Sequence, residues 1–145
     1  MTALKKILIV DDSQLIHNMY KLIMSRYQGC RIIDAMNGLE ALDILSRESD
    51  FDIILLDINM PVMNGIQFLE KLHGENLFPH IPIIVISTEG REEDTLKALT
   101  LGAVGYVVKP FKPHLLHELI EKIMAKQKAS LPFAGIARPK ETAAK

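Results

Sequence analysis

Five short apolar runs recur along the chain: "KILIV" (6–10), "CRIIDA" (30–35), "DIILL" (52–56), "IPIIVIS" (81–87) and "VGYVV" (104–108). Their hydrophobicity is near-continuous rather than alternating, which suits strands of a parallel sheet covered on both faces. Amphipathic segments lie between them. Leu15, Ile16, Met19, Leu22 and Ile23 form a stripe after Ser13, an N-cap. Leu39, Leu42 and Leu45 follow the turn "NG" at 37–38, and Ile66, Leu69 and Leu72 follow Gly65. Leu96 and Leu99 lie in the segment 91–101, which opens on Glu92, Glu93 and Asp94, where a helix dipole favours acids. Leu115, Leu116, Leu119, Ile120 and Ile123 follow Pro113, a good first-turn residue.

Strand and helix alternating in this way predict an α/β fold, a doubly wound five-stranded parallel sheet with helices on both faces. At 145 residues the chain is most simply one domain. Its character changes near Ser130. The last stretch, "SLPFAGIARPKETAAK", has two prolines and no sustained stripe, so residues 1–128 are expected to form the domain and 129–145 a flexible tail.

Bulk composition excludes more than it selects. With 48% hydrophobic residues, 24% charged residues and a net charge of -1, nothing points to nucleic acid or an anionic membrane. Two lysines precede the first apolar run, but that run is too short for a signal-peptide core, and no run reaches bilayer length. The single cysteine, Cys30, has no internal disulfide partner and reads as a small buried hydrophobe. A cytoplasmic location is expected.

Chemistry gathers at one edge. In open α/β sheets, ligands bind beyond the carboxyl ends of the strands. The first strand ends in Asp11 and Asp12, the third in Asp57, the fourth in Ser87 and Thr88, and the fifth in Lys109. Two carboxylates about 4 Å apart repel by roughly 4 kcal/mol at an effective dielectric near 20. Three in one cleft therefore take up protons or bind a cation. A hard, oxygen-seeking ion such as Mg²⁺ suits them, and it leaves positions for phosphate oxygens. The lysine supplies a positive charge for an anion, and a serine hydroxyl can donate to one. This set describes a phosphoryl site with Asp57 as the candidate carboxylate nucleophile. Each residue alone has a plainer reading: Asp57 as a turn-former, Asp11 and Asp12 as helix caps, Ser87 as a cap and Lys109 as a solvated lysine. Their shared rim favours function.

The strings "ILIVDDS", "IILLDINMPVMNG", "VIST" and "VVKPF" resemble, in order and spacing, the signatures of bacterial two-component response-regulator receiver domains. The likeness covers residues 5 to about 126 and is greatest to single-domain, CheY-like regulators of the chemotaxis type. It implies a flavodoxin-like strand order 2-1-3-4-5. It also implies that Asp57 accepts a phosphoryl group from a phosphohistidine on a histidine kinase. Asp12, Asp57 and the Asn59 backbone carbonyl would bind Mg²⁺, with Asp11 acting through a water. Ser87 and Lys109 would contact the phosphoryl oxygens, and Tyr106 would turn inward as Ser87 moves toward the phosphate. A cis peptide is expected at Lys109–Pro110. Asn59 and Glu89 are expected to tune the loss of phosphate. The output would be a changed surface on the fourth helix, fifth strand and fifth helix (91–100, Tyr106 and 115–122) that docks a partner protein, with no direct contact to nucleic acid or membrane.

That reading makes the chain a switch that catalyses its own phosphorylation and dephosphorylation, not an enzyme in the ordinary sense. A regulator that lacks its output domain stays open as an alternative. An aspartate-nucleophile phosphatase of the haloacid-dehalogenase type fits less well, because it needs Asp-x-Asp after the first strand and the acids here are adjacent. A flavin or nucleotide module would need a phosphate-cradling loop where "DDSQL" places two negative charges. His114 and His117, three apart near the C-terminal end of the domain, have no third metal ligand nearby and are expected on a solvated helix face.

Overall fold

The computed structural model describes residues 4–88, 92–126 and 135–137. In chain order the elements are β1 (Lys6–Val10), α1 (Gln14–Ile23), a single 3₁₀ turn (Met24–Arg26), β2 (Arg31–Ala35), α2 (Gly38–Arg47), β3 (Ile53–Leu56), α3 (Gly65–Gly74), β4 (Ile83–Ser87), α4 (Glu92–Thr100), β5 (Gly105–Val108), α5 (Pro113–Ala125) and β6 (Gly135–Ala137). The described strands form one sheet in the order β2-β1-β3-β4-β5-β6, and every pairing is parallel. The predicted order of the first five strands is therefore observed.

The near-continuous apolarity of the strands has a simple origin. Leu8, Val10, Ile54, Leu56, Val85 and Tyr106 join a core with α2, α3 and α4 residues such as Ile44, Phe68, Leu69 and Ala98. Their strand neighbours Ile7, Ile9, Ile53, Leu55, Ile84 and Val107 join a second core with Tyr20, Leu116, Ile120 and Ile123. Successive side chains point to opposite faces, and here both faces are covered, so the central strands are apolar on both sides up to Ser87 at the end of β4. Each such side chain contributes about 1.5–3 kcal/mol on burial.

Local signals set the helix starts. The Ser13 hydroxyl accepts the Ile16 N–H, the Asn37 side chain accepts the Glu40 N–H, and Asn64 and Gln67 form a reciprocal capping box. Pro113 occupies the first turn of α5.

Three expectations are corrected. In α1 the predicted stripe is rotated: Leu15 and Leu22 are 76% and 77% exposed, while His17 and Tyr20 are buried. Leu39, Leu96 and Leu99 are likewise exposed, and Ala41, Ile44 and Ala98 line the core in their place. Cys30 is half-buried and precedes β2. Finally, three residues of the expected tail form β6, on the otherwise free outer edge of β5. The remainder of 129–145 lies outside the described residues.

Candidate functional site

β1 and β3 are neighbours at the point where the connections change face, and their carboxyl ends open a cleft. The sheet hydrogen bonding continues one rung past each strand to reach an acid. The Asp57 N–H donates to the Val10 carbonyl at 2.9 Å, and the Asp11 N–H donates to the Ala35 carbonyl at 3.0 Å. Asp11 Oδ1 accepts the Ser13 N–H at 2.9 Å, which folds the chain into α1 and leaves Asp12 exposed beside it. Asp11 and Asp57 are buried, and one ligand atom from each of Asp11, Asp12 and Asp57 lies within 4.8 Å of the others. Lys109, just beyond β5, reaches back across β4. Its Nζ is 3.3 Å from Asp11 Oδ2 and 3.6 Å from Asp57 Oδ1. The Lys109–Pro110 peptide is cis, as expected.

One ammonium does not neutralise three acids. Burial pushes the Asp57 carboxyl up, Lys109 draws it back, Asp11 raises it again, the Ile58 backbone N–H lowers it and Asp12 raises it; the outcome is a pKa of about 6. Tyr20, beneath the cleft, has its hydroxyl pushed far above the usual range by burial and then by Asp11 and Asp57. An excess of hard oxygen donors at this spacing fits a divalent cation.

The floor of the cleft is closely packed. Gly65 opens α3 and donates its N–H to the Ile58 carbonyl at 2.8 Å. A Cβ there would overlap the Asp57 carbonyl and stand 2.8 Å from the Ile58 Cα, so only glycine lets α3 start so close behind the acid. The loop between carries a γ-turn, in which the Met63 N–H donates to the Pro61 carbonyl at 2.7 Å around Val62, at φ 69°.

Of the other predicted residues, Ser87 is fully buried at the end of β4, and its carbonyl accepts the Lys109 N–H at 2.8 Å. Thr88 and Asn59 are exposed, Asn59 two residues beyond Asp57. Tyr106 is fully buried in β5. Glu89 and Arg91 lie outside the described residues. His117 is not on a solvated face. It is buried, with Nδ1 2.9 Å from the Tyr27 hydroxyl, whereas His114 is exposed.

Sequence reasoning missed His17. It is fully buried, its Nε2–H donates to the Asp11 carbonyl at 2.7 Å, and its Nδ1 stands 2.8 Å from Asp34 Oδ1 at an angle that falls short of a hydrogen bond. The imidazole thus fixes the backbone of the acid loop from α1. The only available signal was a histidine one turn past the Ser13 cap.

A doubly wound α/β domain with an acidic, lysine-flanked cleft at its switch point is the class of protein that this fold and site define. The response regulator receiver domain model matches residues 7–121. The chain is 35% identical over 119 residues to a Campylobacter jejuni chemotaxis protein CheY homolog, covering 82% of this chain and 92% of the relative. It is 38% identical over 119 residues to Helicobacter pylori chemotaxis protein CheY1, covering 82% and 96%. Among solved structures, a CheY-like response regulator receiver domain protein from Methanospirillum hungatei superposes with a TM-score of 0.77 at 34% identity, covering 86% of this chain and 97% of that one. Vibrio cholerae chemotaxis protein CheY4 superposes with a TM-score of 0.72 at 34% identity, covering 82% and 98%. The chain belongs to the response regulator receiver domain family.

Proposed function

We propose that the protein is a phosphorylation-driven signalling switch in which Asp57 is the phosphoacceptor. The observation that carries this reading is the buried Asp57 carboxylate, held beside two further acids and 3.6 Å from the Lys109 ammonium. An Asp57 oxygen bonds to phosphorus as the P–N bond to a phosphohistidine of a histidine kinase breaks. The electron pair leaves with the imidazole, which takes up a proton. In the reverse branch, water attacks phosphorus, the P–O bond to Asp57 breaks and inorganic phosphate departs.

Asp12, Asp57 and the Asn59 carbonyl would hold Mg²⁺, with Asp11 acting through water. When bound, the cation would neutralise the acids and offset the negative charge of the phosphoryl oxygens. Lys109 binds an equatorial oxygen, and the Ser87 hydroxyl donates to another. Asn59 and Glu89 tune the access of the attacking water. No helix among the described residues is long and apolar enough to cross a membrane.

The output is conformational. A dianionic group draws Ser87 and Lys109 together, and β4, β5 and α4 settle into a second packing around Tyr106. The altered α4–β5–α5 face docks a partner protein. Control of motility is favoured by relatives that are named chemotaxis proteins.

Incubation with acetyl phosphate and Mg²⁺, followed by intact mass, tests the core of the reading. Gain of one phosphoryl group, absent in Asp57→Asn and after chelation, is expected. Labelling that persists in Asp57→Asn would identify a different acceptor.

A further inference from the structure

β6 is the element that the family match leaves out. The match ends at residue 121, and 119 aligned residues already cover 96% of one relative. Without β6, β5 would be the edge of the sheet and would present a row of unpaired N–H and C=O groups. Residues 135–137 run parallel to it in the register Gly105↔Gly135, Tyr106↔Ile136 and Val107↔Ala137. They also lie against α5. The first of them is fitted to the place: Gly135 has φ +137°, a backbone conformation that L side chains rarely adopt.

Two properties make this strand exchangeable. It is three residues long, and a ladder that short only about offsets the entropy lost on ordering the chain. It is also in register with Tyr106, in the strand that the proposed switch moves. A shift of β5 toward the site therefore breaks the match between the two backbones.

We propose that the outer edge of β5 is a strand-accepting site occupied in cis by residues 135–137, which leave it when Asp57 is phosphorylated and so clear the α4–β5–α5 face for a partner. The accepting edge stands on the pairing alone; its release rests on the function proposed above.

Amide hydrogen exchange on the full chain tests both parts. In Ile136→Pro and Gly135→Val, exchange across residues 105–108 should quicken at least tenfold, with far-UV circular dichroism and Mg²⁺ affinity unchanged. A synthetic peptide of residues 131–140 should restore the protection in Ile136→Pro. Unchanged exchange at 105–108 in both variants, or a peptide without effect, overturns the accepting edge. In wild type carrying one phosphoryl group by mass, exchange at 135–137 should rise at least tenfold; no rise overturns the release. If no phosphoryl group is gained, the Asp57 reading fails, and the release falls with it. The unphosphorylated variants and the peptide still decide the edge.

Discussion

The Lys109 ammonium stands 3.6 Å from the Asp57 carboxylate although the two residues leave strands separated by β4. The lysine spans a whole strand to bring a positive charge to a buried acid. Replacing it with methionine removes the charge and keeps the stem. Phosphorylation by acetyl phosphate should slow at least tenfold in Lys109→Met, while Mg²⁺ affinity holds or tightens. Stopped-flow quenching and calorimetry separate the two; a parallel loss of both would give the lysine a purely structural role.

Asp57 raised to about 6 has a consequence for stability. The folded state holds a proton that the unfolded carboxyl, near its usual 3.8, has released. Stability should therefore fall as pH rises from about 4 to about 6, by roughly 1–3 kcal/mol in order of magnitude. Asp57→Asn should remove this slope and be the more stable protein at neutral pH. Saturating Mg²⁺ should raise the wild-type melting temperature at pH 7.5 far more than at pH 5.

His117 works in the opposite sense. Burial, then Arg26, hold its imidazole below the ordinary range, so the folded protein binds fewer protons than the unfolded chain does just below pH 6.5. That contribution is present above 6.5 and lost as pH falls. It opposes the Asp57 slope where the two overlap, and it should become visible in Asp57→Asn. Tyr27→Phe leaves Nδ1 without its hydroxyl partner and should cost about 1 kcal/mol in urea unfolding.

Val62 holds a β-branched side chain in left-handed backbone at the centre of a γ-turn, and it is 73% exposed. Strain of this kind is worth about 1–3 kcal/mol. Val62→Gly relieves it at the expense of unfolded-state entropy, so a net gain of about 0.5–1 kcal/mol is expected. Thermal unfolding reads it directly. Gly65→Ala runs the other way: the added methyl meets the Asp57 carbonyl, so stability and Mg²⁺ affinity should both fall.

Much of this was legible beforehand because the sheet is buried on both faces and its acids abut the strand ends. A run such as "DIILLD" fixes at once the strand, its burial and the position of its carboxylate. The inner faces of the helices were less legible. In α1, leucines at 15 and 22 outweigh His17 and Tyr20 on any hydrophobic count, yet the helix turns the latter pair inward, where His17 donates to the Asp11 carbonyl and Tyr20 joins the core. β6 left no trace, since "GIA" between two prolines carries too little pattern to announce a strand, and only the open edge beside it gives those residues a reason to extend.

The Ser87 carbonyl and the Lys109 amide share one hydrogen bond at the end of the β4–β5 ladder. The two side chains thus hang from backbones that are joined directly, so in the proposed switch a pull on one residue is passed to the other. An anion arriving in the cleft would be counted once, as a single joint displacement, and not as two separate grips that could disagree.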